Sequence, residues 1–170
     1  GSDKPVYAIP GNHDWFSALD GFAANFMEPE AARAAIHAPV VEDLMLTSTT
    51  PGRIEGLISR ARQLQSEYGV RVGSQHGPFF EIQGERFALI AVDTGILKRV
   101  DPSQRAWLGS ALGRARGKFI MAVLGHPLYA GGFYQGEADP SFAEIHRLLK
   151  DYGAAVVMAN PGLPASDIRY

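Results

Sequence analysis

Two short clusters hold side chains able to do acid–base and metal chemistry. The first is Gly11-Asn12-His13-Asp14. An Asn side-chain oxygen ligates hard or borderline cations. A neighbouring His can protonate a leaving alkoxide, and an Asp beside it can orient that imidazole and hold it charged. The second cluster is Gly125-His126-Pro127, with the aromatic, glycine-rich run Tyr129-Ala130-Gly131-Gly132-Phe133 just beyond it. A lone His in such a place is more often a hydrogen-bonded loop residue than a ligand, so position has to decide. Further polar residues stand near these: Asp93 after an apolar run, and His76 within Ser74-Gln75-His76-Gly77-Pro78. His76 reads first as a loop residue and second as a wall of a substrate pocket. Tyr129 divides evenly between substrate contact and plain surface.

The elements that must position these residues are legible in the apolar pattern. Val6 to Ile9 reads as a short buried strand stopped by Pro10-Gly11, which puts Asn12 at a strand end. Trp15, Leu19, Phe22, Ala23 and Phe26 recur at helical spacing and predict one helix after the cluster. The Ala-rich stretch from Glu28 to His37 is a second helix, with His37 suited to its C-terminal dipole. Val40 to Gly52 is loop-like. Ile54, Leu57, Ile58, Ala61, Leu64 and Tyr68 form another helical face that Gly69 ends, with Arg53, Arg60 and Arg62 off it on a solvated side.

Phe79–Ile82 and Phe87–Val92 flank Gln83-Gly84-Glu85 and read as a β-hairpin. Asp101-Pro102 opens a helix as cap and first turn, with Gln104 completing the cap and Trp107, Leu108, Ala111, Leu112 and Ala115 facing inward. Phe119–Leu124 is a strand and places His126 at its carboxyl end, where α/β proteins build ligand sites. Phe142 to Tyr152 is a helix ended by Gly153, with His146 in a structural role, and Ala154–Ala159 is a last buried strand. Strands alternating with helices, plus a hairpin, give an α/β class with mixed sheets.

Composition narrows the chemistry. The 170 residues suit one domain, and 46% are hydrophobic, the content of a folded protein. The net charge of -2 carries no signal for nucleic acid or an anionic membrane. No cysteine is present, so any metal takes oxygen and nitrogen ligands. No apolar run approaches the roughly 20 residues that span a bilayer. A Gly-x-Ser-x-Gly elbow is missing too, which disfavours a serine α/β-hydrolase. Gly1-Ser2 reads as a cloning remnant. Nothing assigns a compartment.

Taken together, Gly11-Asn12-His13-Asp14 after its strand, the Asp101-Pro-x-Gln-x-x-Trp107-Leu108 helix, and Gly125-His126-Pro127-Leu128-Tyr129 resemble the calcineurin-like metallophosphoesterases. That family reads Asp-x-His, Gly-Asp-x-x-Asp, Gly-Asn-His-Asp/Glu, a lone His after a strand, and Gly-His-x-His, in that order. The resemblance implies a sandwich of mixed β-sheets flanked by helices over residues 3–170, with a helical insertion at 28–73. It implies Asn12 and His126 as metal ligands, His13 as the group acting on the transferring phosphoryl or leaving oxygen, and Asp14 as its partner. It also implies two divalent transition metal ions (Mn, Fe, Zn or Co) and hydrolysis of a phosphate mono- or diester, with Tyr129 and His76 toward the substrate.

Only the third and fourth of those elements are found. The first two belong before Val6, and the last strand runs into Asn160-Pro161-Gly162-Leu163-Pro164 where a His-containing element belongs. The expectation is therefore a domain incomplete at its N-terminus, carrying part of a dinuclear site, with a sheet edge exposed for self-association. The rival reading is a non-catalytic binding or structural module that keeps the scaffold without a complete metal site.

Overall fold

A computed structural model describes residues 6–11, 14–35, 51–70, 75–94, 100, 102–126 and 143–159. Contacts divide the chain into two compact units, Gly1–Pro78 and Phe79–Tyr170.

In the first unit a 3-10 turn at Asp14–Ser17 leads to helices α1 (Asp20–Phe26), α2 (Pro29–Ala35) and α3 (Pro51–Tyr68). The single helix expected from Trp15 to Phe26 is broken. Ala18 and Leu19 have φ of 54° and 61°, left-handed values that L-residues rarely adopt. Apolar spacing cannot reveal this, because Trp15, Ala18, Leu19, Phe22 and Ala23 are all buried on either side of the break. Asp14 C=O accepts the Leu19 N–H at 3.1 Å, so the turn is tied across the irregularity. α1 packs on α3 and α2, burying Phe22, Met27, Ala32, Ile54, Ile58 and Ala61.

Arg53, read from the sequence as solvated surface, is exposed and also links two helices. Its Nε lies 2.9 Å from an oxygen of Asp20, whose carboxylate is buried and also accepts the Gly21 N–H at 2.8 Å. Arg33 of α2 forks onto Glu55 of α3, with Nη2 2.9 Å from Oε2, and that hydrogen bond holds the Glu55 carboxyl below its usual range. Gly69, at φ 64°, ends α3: Val70 N–H reaches Gln65 C=O at 2.9 Å and Gly69 N–H reaches Ser66 C=O at 3.4 Å. That pair of bonds is the Schellman arrangement.

Val6 to Ile9 does not form the expected buried strand. No strand runs through it, and Val6 and Tyr7 are exposed. Pro5 and Pro10 supply no N–H, and both backbone groups of Ala8 are taken by one side chain. That side chain is the carboxamide of Gln75, 3% exposed, which accepts from Ala8 N–H and donates to Ala8 C=O, each at 3.0 Å. The Gln75 backbone meanwhile accepts the Glu28 N–H at 3.0 Å, beside a parallel bridge to Met27. One glutamine thus joins the segment before the Asp14 turn to the end of α1.

The second unit is a mixed sheet with helices: β1 (Phe80–Gln83), β2 (Phe87–Val92), α4 (Pro102–Arg114), β3 (Phe119–Leu124), α5 (Ala143–Asp151) and β4 (Ala154–Ala159). The strand order is β1-β2-β3-β4, antiparallel for the first pair and parallel for the other two. Gly84 forms the hairpin turn. A Cβ there would meet the Phe87 ring, which would have to turn aside. Ala88, Ile90 and Val92 of β2 and Ile120, Ala122 and Leu124 of β3 alternate inward and form one core with Leu108, Ala111 and Leu112 of α4 and Ile145 and Leu149 of α5.

A sheet whose strand order advances in one direction puts both right-handed crossover helices on the same face. The opposite face therefore carries Phe87 and Phe119 largely in water. β4 is a strand as expected, though not a buried one: Val156, Val157 and Met158 are exposed. A continuous apolar run predicts burial only where neighbours flank it on both sides, and β4 ends the sheet of described residues.

Candidate functional site

The site residues divide between the two units. In the first, Asp14 starts the 3-10 turn and is itself exposed. Its Oδ2 accepts the Gly11 N–H at 2.8 Å, and its own N–H returns to Gly11 C=O at 3.2 Å. The carboxylate therefore ties Asp14 back to the Gly11 backbone. A carboxylate that accepts a backbone N–H keeps a second oxygen for another donor. Asn12 and His13 lie outside the described residues, as do Tyr129 and His37. His76 is exposed in the bend after Gln75, and His146 is half-buried in α5.

In the second unit the parallel register carries the geometry. Val92 pairs with Leu124, the last residues of β2 and β3. Continued two residues further, that register sets Thr94 beside His126, and the two side chains meet there: Thr94 Oγ1 is 2.7 Å from His126 Nδ1. Thr94 is fully buried and His126 half-buried. The junction sits just past the carboxyl ends of two adjacent parallel strands. Asp93, suspected from its strand-end position, is also buried, at 4% exposure.

What holds this corner is Gln104. The sequence suggests a role in starting its own helix, a bond that would involve Asp101, outside the described residues. The structure shows another use. Its carboxamide accepts from Asp93 N–H at 2.9 Å and donates to Asp93 C=O at 2.8 Å, with every group buried. The first turn of α4 is thereby fixed to the end of β2. Sequence reasoning missed Thr94 and this use of Gln104. The available signal was the register itself: two parallel apolar runs of equal length, each ending in a polar residue two positions on.

Nδ1 of His126 meets Thr94 Oγ1, and any metal held by this cysteine-free chain would take oxygen and nitrogen donors. Among the described residues no three His, Asp or Glu side chains converge as a metal-binding group. Comparisons with protein-family models, with curated proteins and with solved structures give no match for this chain.

Proposed function

We propose that this chain belongs to a metal-dependent phosphoesterase of the calcineurin-like kind, hydrolysing a phosphate mono- or diester. The observation that supports this most is His126 at the carboxyl end of the parallel β2–β3 pair, its ring oriented through Nδ1 by a buried hydroxyl. A metal-ligating His characteristically has its second nitrogen anchored in this way. Its place in the chain, after the Asn12-His13-Asp14 cluster and a strand–helix–strand unit, fits the family order.

In this reading Asn12 and His126 are each metal ligands, for Mn, Fe, Zn or Co, with further ligands completing the coordination. Paired divalent cations would lower the pKa of bound water and neutralise charge on the phosphoryl oxygens. His13 gives a proton to the leaving oxygen. Asp14, which is also bonded to the Gly11 N–H, is assigned as the partner of His13. His76 and Tyr129 are assigned to substrate contact. The mixed sheet and its helices are the part of a sheet sandwich that these ligands require.

Metal analysis and ester cleavage by the full-length gene product test the proposal. Two divalent ions per chain and hydrolysis of aryl phosphate mono- or diesters are expected. His13→Ala should lower turnover by about 100-fold or more with metal content near normal, the usual scale for losing a proton donor. Asn12→Ala and His126→Ala should lower metal content as well. Absence of metal and of turnover across several ester classes would overturn the proposal in favour of a non-catalytic module on the same scaffold. The 170 residues alone should take metal weakly, since four ligands are about the minimum around a zinc ion.

A further inference from the structure

We infer that Thr94 is a positioning residue for His126, setting which imidazole nitrogen carries the proton, and that Gln104 holds Thr94 in place to do so. The inference rests on reading His126 as a ligand, and the geometry behind it comes from three linked contacts. Gln104 grips both backbone groups of Asp93 in a buried setting, at 2.9 and 2.8 Å. Thr94 follows directly, with no surface exposed. Its Oγ1 lies 2.7 Å from Nδ1 of His126.

A hydroxyl can meet an imidazole nitrogen in two ways. If Thr94 donates, Nε2 carries the ring proton and His126 becomes a hydrogen-bond donor toward the site, unable to ligate through that atom. If Nδ1–H donates to Oγ1, Nε2 presents a lone pair. The second arrangement is the one a ligand needs, and the buried hydroxyl then acts as the fixed acceptor. Rigidity matters because a hydroxyl that drifted by an ångström would release the ring from its orientation, whichever partner donates. The two bonds from Gln104 remove that freedom at the residue next to Thr94, and the parallel register removes it at the strand ends.

The test reads the ring directly. Nitrogen–proton correlation spectra of metal-free protein, at a pH above the ordinary imidazole range, report the tautomer of His126. Wild-type protein should show Nδ1–H and a bare Nε2. Thr94→Val, which keeps the shape and removes the acceptor, should lose the Nδ1–H signature, and Thr94→Ser should restore it. In the full-length protein Thr94→Val should weaken metal affinity by about 10- to 100-fold, the range for removing such a partner, with Thr94→Ser recovering most of it. An Nε2–H tautomer in the wild type overturns the inference without any variant, so a Thr94→Val protein that fails to fold still leaves it falsifiable. A wild-type Nδ1–H signature that Thr94→Val leaves unchanged also overturns it. A protein that shows the expected tautomers yet holds no metal supports the role of Thr94 and refutes the phosphoesterase reading, so the two failures are distinct.

Discussion

Gln75 and Gln104 do the same physical job in the two units. Each presents a carboxamide to one residue's N–H and C=O, as a neighbouring strand would, and each is almost wholly buried. The donor and acceptor ends both matter, because a buried backbone group left unpaired costs about 1–3 kcal/mol. Gln104→Leu should therefore destabilise the second unit by roughly 2–5 kcal/mol. Gln104→Glu, which retains an acceptor for Asp93 N–H but sets a buried carboxylate against Asp93 C=O, should destabilise as well. Chemical denaturation measures the total, and exchange of the Asp93 amide should speed up more in the Leu variant than in the Glu variant. Equal exchange in both would mean the carboxamide is not what protects that amide. None of this was legible beforehand. A glutamine in the first turn of a helix reads as a cap, and one in a loop reads as surface, because sequence patterns record which residues are apolar and not which polar residue is folded inward. His126 was legible, since an apolar strand run leads straight to it. Thr94 was not, because its importance depends on a register between two strands.

At the level of elements the sheet was the readable part. Phe87–Val92 and Phe119–Leu124 are bounded as their apolar runs suggest, and the hairpin turns where Gly84 marks it. Side-chain periodicity fails where the backbone leaves its usual wells, as in the Ala18–Leu19 break, or where a side chain replaces a strand partner, as at Ala8. The break offers a test in which two effects compete. A left-handed residue costs about 1–2 kcal/mol in steric strain unless it is glycine. Ala18 has only a methyl to lose, so Ala18→Gly should be stabilising by about 1 kcal/mol. Leu19 has the same backbone conformation, yet its side chain is buried between helices. Emptying that space costs about 2–5 kcal/mol, more than the strain recovered, so Leu19→Gly should destabilise. Thermal unfolding should move the two variants in opposite directions. A loss of stability in both would mean that the left-handed turn stores no strain.

For the whole molecule the outstanding physical demand is the sheet face away from the helices, which among the described residues is exposed at Phe87, Phe119, Val156 and Met158 and buried at Ala91. Phe87 pairs with Phe119, Leu89 with Met121 and Ala91 with Val123, and β4 extends that row with Val156 and Met158. Phe119 and Met158 are each 51% exposed, and Phe87 is 45% exposed. Half of a phenylalanine side chain is on the order of 100 Å², so Phe87 and Phe119 alone leave apolar surface that association could bury. The two sheet edges differ. β1 carries Glu81, paired with Arg114, and Gln83, which accepts from Lys118 at 2.9 Å, and such polar edges resist pairing with another strand. β4 reads Ala154-Ala155-Val156-Val157-Met158-Ala159, with no charge and no proline. Two copies meeting there about a two-fold axis would set no like charges opposite each other, and would join their apolar faces into one surface. Self-association through β4 is therefore expected, growing with concentration across the micromolar to millimolar range where exposed edges begin to pair. Sedimentation equilibrium should show it. Val157→Lys should weaken association at least about 10-fold, the effect of a charge on an edge strand worth some 1.4 kcal/mol. Glu81→Gln at the opposite edge should leave it unchanged. A monomer at every concentration would mean that the face and the edge are covered within one polypeptide, as the second sheet of a sandwich would cover them.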